Sequence, residues 1–233
     1  MTSPSSAVLF DVDGTLVDSN YQHVVAWQRA FHDIGEAVQA RRIHECIGMG
    51  GTLLVQELLG DPSDEDMDEA KRLHSLYFGE YSESLQVVPG ARDLVRAVHD
   101  RGLRVVLASS AGSDEFEVLR SILDVDEHIH ASTSSADVEQ EKPDPSLVEA
   151  ALKKAGVPAG RAVMVGDGVW DAIAAKRAGV PTIGMLSGGI GSNRLIEAGA
   201  VAVYADAIEL RDHIESSPIG ALGKQDRRPG SKD

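Results

Sequence analysis

Ala7-Val8-Leu9-Phe10-Asp11-Val12-Asp13-Gly14-Thr15 is the stretch that decides the fold. Four apolar residues suit a short buried strand, and two carboxylates two residues apart stand at its end. Like charges that close raise each other's pKa unless a cation neutralises them. Such a pair suits metal binding, proton transfer or attack on an electrophile. Two plainer readings are a structural turn and the start of a calcium loop. The calcium loop needs Gly at its sixth position and Glu at its twelfth, where Leu16 and Gln22 stand.

Working outward, four further apolar runs rich in β-branched residues follow: Arg104–Ala108, Ala162–Val165, Pro181–Met185 and Ala200–Tyr204. A weaker strand candidate covers His128–Ala131. Helical patterns lie between them, over Ala91–Asp100, Ser113–Leu123, Pro145–Lys154, Asp171–Ala178 and Arg194–Ala198. Strands alternating with helices predict an α/β fold with a doubly wound parallel sheet. The stretch 19–86 breaks the alternation and reads as helix after helix. Val24, Trp27, Phe31 and Ile34 recur at helical spacing, and Ser63-Asp64-Glu65-Asp66 resembles a capping box. The expected division is a core of residues 1–18 and 87–215, a helical insert of residues 19–86, and an unstructured tail over 216–233, where Pro, Gly, Ser, Lys and Arg dominate.

Composition narrows the class. The 233 residues are 42% hydrophobic and 25% charged, as expected of a globular protein able to bury a sizeable core. A net charge of −15 argues against nucleic acid or an anionic membrane as the main partner. It also means that an anionic substrate needs a metal or local positive charge. The one cysteine, Cys46, allows no intrachain disulfide and points to a reducing compartment. No signal peptide and no run long enough to span a membrane is visible, so the expected location is the cytoplasm.

In a doubly wound sheet, ligands sit beyond the carboxyl ends of the strands. Asp11 and Asp13 follow the first strand, Ser109 and Ser110 the second, and Asp167 and Asp171 the run Ala162–Val165. Lys142, in Glu141-Lys142-Pro143-Asp144-Pro145, lies in a connection leading to a helix. Clustered carboxylates are hard ligands suited to Mg²⁺, and a lysine beside them can hold a phosphoryl oxygen. One aspartate can attack phosphorus while another moves protons. Taken singly, each residue has a plainer reading: Ser109 and Ser110 as helix caps, Lys142 as a solvated lysine, Asp171 as a helix N-terminal acid. His23 is divided between hinge chemistry and a satisfied helix residue. Trp27 and Trp170 are expected to pack, Cys46 to be a small buried hydrophobe, and the other seven histidines to be surface or core. Gly48–Gly51 is expected near substrate and Gly188–Gly191 as a plain loop, since neither completes a dinucleotide fingerprint.

These motifs, Asp11–Ser19, Ser109, Lys142-Pro143 and Gly166–Asp171 in that order, resemble the haloacid-dehalogenase-like hydrolase superfamily, in its phosphoglycolate phosphatase and β-phosphoglucomutase-like branch, and the resemblance runs from about Ser6 to His213. The resemblance implies a Rossmann-like core and an inserted α-helical cap. It implies Asp11 as nucleophile, forming an aspartyl-phosphate, and Asp13 as general acid/base with its carbonyl on Mg²⁺. It further implies Lys142 as catalytic, Asp11 and Asp167 on the metal with Asp13, Asp171 as a further ligand or as a residue that orients metal-bound water, and Ser109 on phosphate. Ser110, Thr15, His23 and Gly50 are the remaining expected substrate contacts. Asp13 stands where dehalogenase members carry an aromatic residue. Mutase-like members are similar around His23 and Trp27, but carry an arginine shortly after a glycine near Gly48, which Gly48-Met49-Gly50-Gly51 lacks. The expected function is therefore Mg²⁺-dependent hydrolysis of a small phosphorylated metabolite. The alternatives are a sugar-phosphate mutase and a phosphate-binding or phospho-accepting module with little turnover.

Overall fold

The computed structural model describes residues 6–226. Six parallel strands form the central sheet: β1 (Ala7–Phe10), β4 (Arg104–Ala108), β5 (Ala131–Thr133), β6 (Ala162–Gly166), β7 (Thr182–Met185) and β8 (Ala200–Tyr204). Their order is β5-β4-β1-β6-β7-β8. β1 is central and buried throughout, as its unbroken apolar run requires. The order reverses around β1, which opens the crevice at the carboxyl edge where such sheets bind ligands.

Register levels the strand ends. Phe10 pairs with Leu107 on one side and Val165 on the other. Asp11, Ala108 and Gly166 therefore leave the sheet at the same height. The Asp11 N–H donates to the Val165 carbonyl at 2.9 Å, carrying the ladder one residue past the strand.

Helices cover both faces of the sheet: α5 (Ala91–His99), α6 (Ser113–Leu123), α7 (Ser146–Ala155), α8 (Val169–Arg177), α9 (Ser192–Ala198), α10 (Ala207–Asp212) and α11 (Pro218–Asp226). One face packs Val8, Phe10, Val105 and Leu107 against α5 and α6. The other packs Leu9, Val106 and Met164 against α7. Two expectations shift. The weak strand candidate His128–Ala131 becomes β5, over Ala131–Thr133, because the chain must pass a short 3₁₀ turn before it reaches β4. The tail expected without structure from residue 216 instead carries α11. Ile219 is 0% and Leu222 is 4% exposed, both in the core cluster. Each such burial contributes about 1.5–3 kcal/mol. Residues 227–233 lie outside those described.

The inserted cap is four helices: α1 (Asn20–Asp33), α2 (Ala40–Cys46), α3 (Gly51–Leu59) and α4 (Asp64–Gly79). Val24, Trp27 and Phe31 line one face of α1 and meet Ile43, Leu54, Val55 and Ala70 in a separate apolar cluster. Ser63 accepts from the Asp66 N–H at 3.1 Å, and three acids in the first turn of α4 suit its dipole. The chain enters the cap through β2 (Val17–Asp18) and leaves it through β3 (Gln86–Val87), paired antiparallel. Among the described residues, no helix is long and apolar enough to cross a membrane.

Candidate active site

Between the carboxyl edge of the sheet and the cap lies a cavity of about 220 Å³. Asp11, Asp13, Asp167 and Asp171 line its floor. Lys142 is buried beneath, its Nζ 2.7 Å from Asp11 Oδ1 and 2.7 Å from Asp171 Oδ1. Burial pushes the ammonium down, but the two carboxylates outweigh it and hold the lysine charged above its usual range. Burial and the charge of Asp171 push Asp11 well up, against the pull of Lys142.

Asp167 is fixed from both sides. Thr15 Oγ1 donates to Oδ1 at 2.8 Å and Asn20 Nδ2 donates to Oδ2 at 2.8 Å. Burial first, then Asp171, still raises it to about 7. Asp171 Oδ2 accepts the Gly168 N–H at 3.1 Å, at the start of α8. One oxygen each of Asp11, Asp167 and Asp171 falls within 4.8 Å of the others. Three buried carboxylates against one ammonium leave a negative surplus, with hard oxygen donors converging. That donor set fits a divalent cation of the Mg²⁺ kind. Gly14 keeps the cluster tight: it adopts φ +70°, and a Cβ there would lie 2.5 Å from Asp167 Oδ2.

Asp13 faces different neighbours. Ser19 Oγ donates to its Oδ1 at 2.5 Å, and His23 Nε2 lies 3.2 Å from the same oxygen. Burial raises Asp13, but the hydrogen bond and charge of His23 with the bond from Ser19 overcome it and hold Asp13 below its ordinary value. His23 is lowered by burial, yet Glu115 at 3.6 Å and Asp13 raise it on balance. His23 Nδ1 stands 3.0 Å from His74 Nε2. Burial and the nearby His23 charge keep His74 well below the usual imidazole range, so it is neutral. Asp11 and Asp13 thus sit in one cavity under opposite electrostatic influences.

The cavity brings together Asp11, Asp13, His23, Ser110, Asp167 and Asp171, with Lys142 below. Three expected substrate contacts, Thr15, Ser109 and Gly50, lie just behind the cavity lining. Thr15 is 1% exposed and turned onto Asp167. Ser109 is fully buried; its Oγ donates to Asp13 Oδ2 at 3.4 Å and accepts the Ala111 N–H at 3.0 Å. Gly50 is covered by the Glu141 side chain. Its neighbours Gly48, Met49 and Gly51 line the cavity instead.

Sequence reasoning missed Asn20, Glu115, Lys71 and His74. Asn20 follows the first motif directly. The others come from helices of cap and core that only the fold brings face to face. The glycine stretch expected as a plain loop also takes part: the Gly188 carbonyl accepts from Asn20 Nδ2 at 3.3 Å and lies 2.8 Å from His44 Nε2. Trp170 packs under Gly48, as expected, and donates Nε1–H to the Glu45 carbonyl at 3.1 Å.

Comparison with known proteins agrees with this geometry. A family model described as haloacid dehalogenase-like hydrolase matches residues 6–179. A phosphoglycolate phosphatase of Rhodospirillum rubrum is 31% identical over 88% of this chain and 89% of its own. A crystal structure of a hydrolase from Pseudomonas syringae superposes with a TM-score of 0.87 at 33% identity, covering 91% of this chain and 99% of that one. A β-phosphoglucomutase of Clostridium difficile shares the fold at a TM-score of 0.80 and 17% identity, covering 95% and 98%. The match over most of the chain, the parallel sheet and the helical insert agree, and the protein is an enzyme of the haloacid dehalogenase-like hydrolase family.

Proposed function

We propose that this enzyme is a Mg²⁺-dependent phosphatase. On this reading it hydrolyses a small organic phosphate monoester through an aspartyl-phosphate on Asp11. The observation that carries the proposal is geometric: Lys142 Nζ lies 2.7 Å from Asp11 Oδ1, and Asp13, held by Ser19 and His23, faces the same cavity. Asp11, Asp167 and the Asp13 carbonyl would hold the cation, with Asp171 orienting Lys142. When bound, the cation offsets the phosphoryl charge and ionises the buried carboxylates.

A carboxylate oxygen of Asp11 attacks phosphorus, and the bond to the leaving oxygen breaks as Asp13 gives it a proton. Asp13 then takes a proton from water, which attacks the same phosphorus and frees Asp11. Lys142 keeps Asp11 oriented and shares the phosphoryl charge. Ser110 and the Ala111–Gly112 backbone, which line the same wall, hold phosphoryl oxygens, while Ser109 beneath them steadies Asp13. Residues 19–86 act as a cap moving on the β2–β3 pair, excluding water from the first step. Lone Cys46 supports a cytoplasmic setting.

The test is release of inorganic phosphate from an aryl phosphate and from a panel of metabolite phosphates, with and without Mg²⁺. Stoichiometric phosphorylation without turnover would favour the phospho-accepting module. The His23–Asp13 contact favours the mutase as second reading. Conversion of β-glucose 1-phosphate to glucose 6-phosphate faster than phosphate release would establish it.

A further inference from the structure

The outer half of the cavity carries a charge pattern that the phosphoryl chemistry does not use. Above the floor, its ionisable lining residues include Lys71, His23 and His74 from the cap and Glu115 and Glu141 from the core; burial raises Glu115 to about 7, and it faces His23. Glu141 reaches across the cleft. Its Oε2 accepts the Leu53 N–H at 3.2 Å, in the first turn of α3. That helix has no cap of its own, because its N-cap residue is Gly50 and makes no side-chain bond. A core carboxylate therefore caps a cap-domain helix. The contact depends on Gly50, since a Cβ there would overlap the Glu141 side chain. Lys71 Nζ is 3.2 Å from Thr52 Oγ1 in the same turn.

A helix N-terminus beside a lysine is where a second anionic group of a substrate would settle. Here that place is already taken by a carboxylate of the protein. We propose that Glu141 is a specificity-determining residue, selecting phosphate esters whose leaving group is uncharged over esters that carry a second anion there. The inference rests on the phosphatase reading. A substrate carboxylate must break the Glu141–Leu53 bond and then face the Glu141 charge. A substrate hydroxyl can donate to Glu141 and leave the bond in place.

Two esters isolate the effect: 2-hydroxyethyl phosphate and phosphoglycolate share the phosphoryl group and the two-carbon chain. They differ by a hydroxymethyl against a carboxylate. The wild-type enzyme should show the higher kcat/KM on 2-hydroxyethyl phosphate. Glu141→Gln retains an acceptor for Leu53 and removes the charge. It should move the ratio of the two kcat/KM values about tenfold toward phosphoglycolate. A wild-type preference for phosphoglycolate, or a ratio that Glu141→Gln leaves in place, overturns the inference while leaving the phosphatase reading intact. Hydrolysis of neither ester, nor of an aryl phosphate, overturns the phosphatase reading itself. Should Glu141→Gln not fold, ionic strength gives the second measurement. Salt should raise relative activity on phosphoglycolate by screening the carboxylates, and a ratio unmoved by salt counts against the role of Glu141.

Discussion

Lys142 Nζ lies 2.7 Å from Asp171 Oδ1, and both side chains are withdrawn from solvent. The same ammonium holds Asp11. Lys142→Met therefore leaves two buried carboxylates without a counter-charge. Stability should fall by about 3–5 kcal/mol, measured by denaturant unfolding without metal. An unchanged midpoint would mean that the carboxylates are neutral in the folded enzyme.

Asp11→Asn should act in the opposite sense on stability. Burial and the neighbouring charge of Asp171 oppose ionisation of Asp11. An amide removes that penalty, so the melting temperature should hold or rise. The amide cannot attack phosphorus, and kcat should drop by roughly 10³-fold or more. Near-wild-type turnover would remove Asp11 from the mechanism.

Asp167 couples metal to pH. Its folded pKa of about 7 lies above its unfolded value. Its stabilising effect is then complete below about pH 4 and lost as pH rises through about 7. A bound cation reverses the loss by favouring the carboxylate. The rise in melting temperature on adding Mg²⁺ should be larger at pH 8 than at pH 5. Equal shifts at both values would place the cation away from Asp167.

His74 touches Asp13 only through His23. Its ring stacks on Trp27 at 4.1 Å between centroids. His74→Phe preserves the stack and removes the nitrogen facing His23. We expect kcat to fall about three- to tenfold, the kinetic equivalent of one hydrogen bond of about 1 kcal/mol. KM should stay close to wild type. Loss of thermal stability with unchanged kcat would make His74 a packing residue alone.

Ile219 anchors α11 on the sheet layer with no exposed surface. Ile219→Ala should cost about 2–5 kcal/mol, read as a lower melting temperature. Little change would mean that α11 adds nothing to the core.

The floor of the site was legible because each residue follows a strand in the sequence. Apolar runs locate the strands, parallel order aligns their ends, and Asp11, Asp167 and Lys142 meet as a consequence. The outer wall was not legible. Glu115, His74 and Lys71 come from α6 and α4, whose mutual facing depends on how the cap leans, not on any local pattern. α11 escaped for another reason: Ile219 and Leu222 form one short apolar stripe in a polar, Gly- and Pro-rich stretch. Thr15 was found by its motif, but its direction toward Asp167 follows from the turn made possible by Gly14.

The antiparallel pair Val17–Asp18 and Gln86–Val87 has an evolutionary consequence. Both covalent links to the helical insert pass through neighbouring positions outside the six-stranded sheet. Insertions, deletions or replacements in the insert that spare Ser19, Asn20, His23 and His74, which hold or support the floor carboxylates, therefore leave both the reaction centre and the pairing of β1 with β4 and β6 untouched. The insert behaves as an exchangeable module: lineages can diverge in what they accept while inheriting the same reaction.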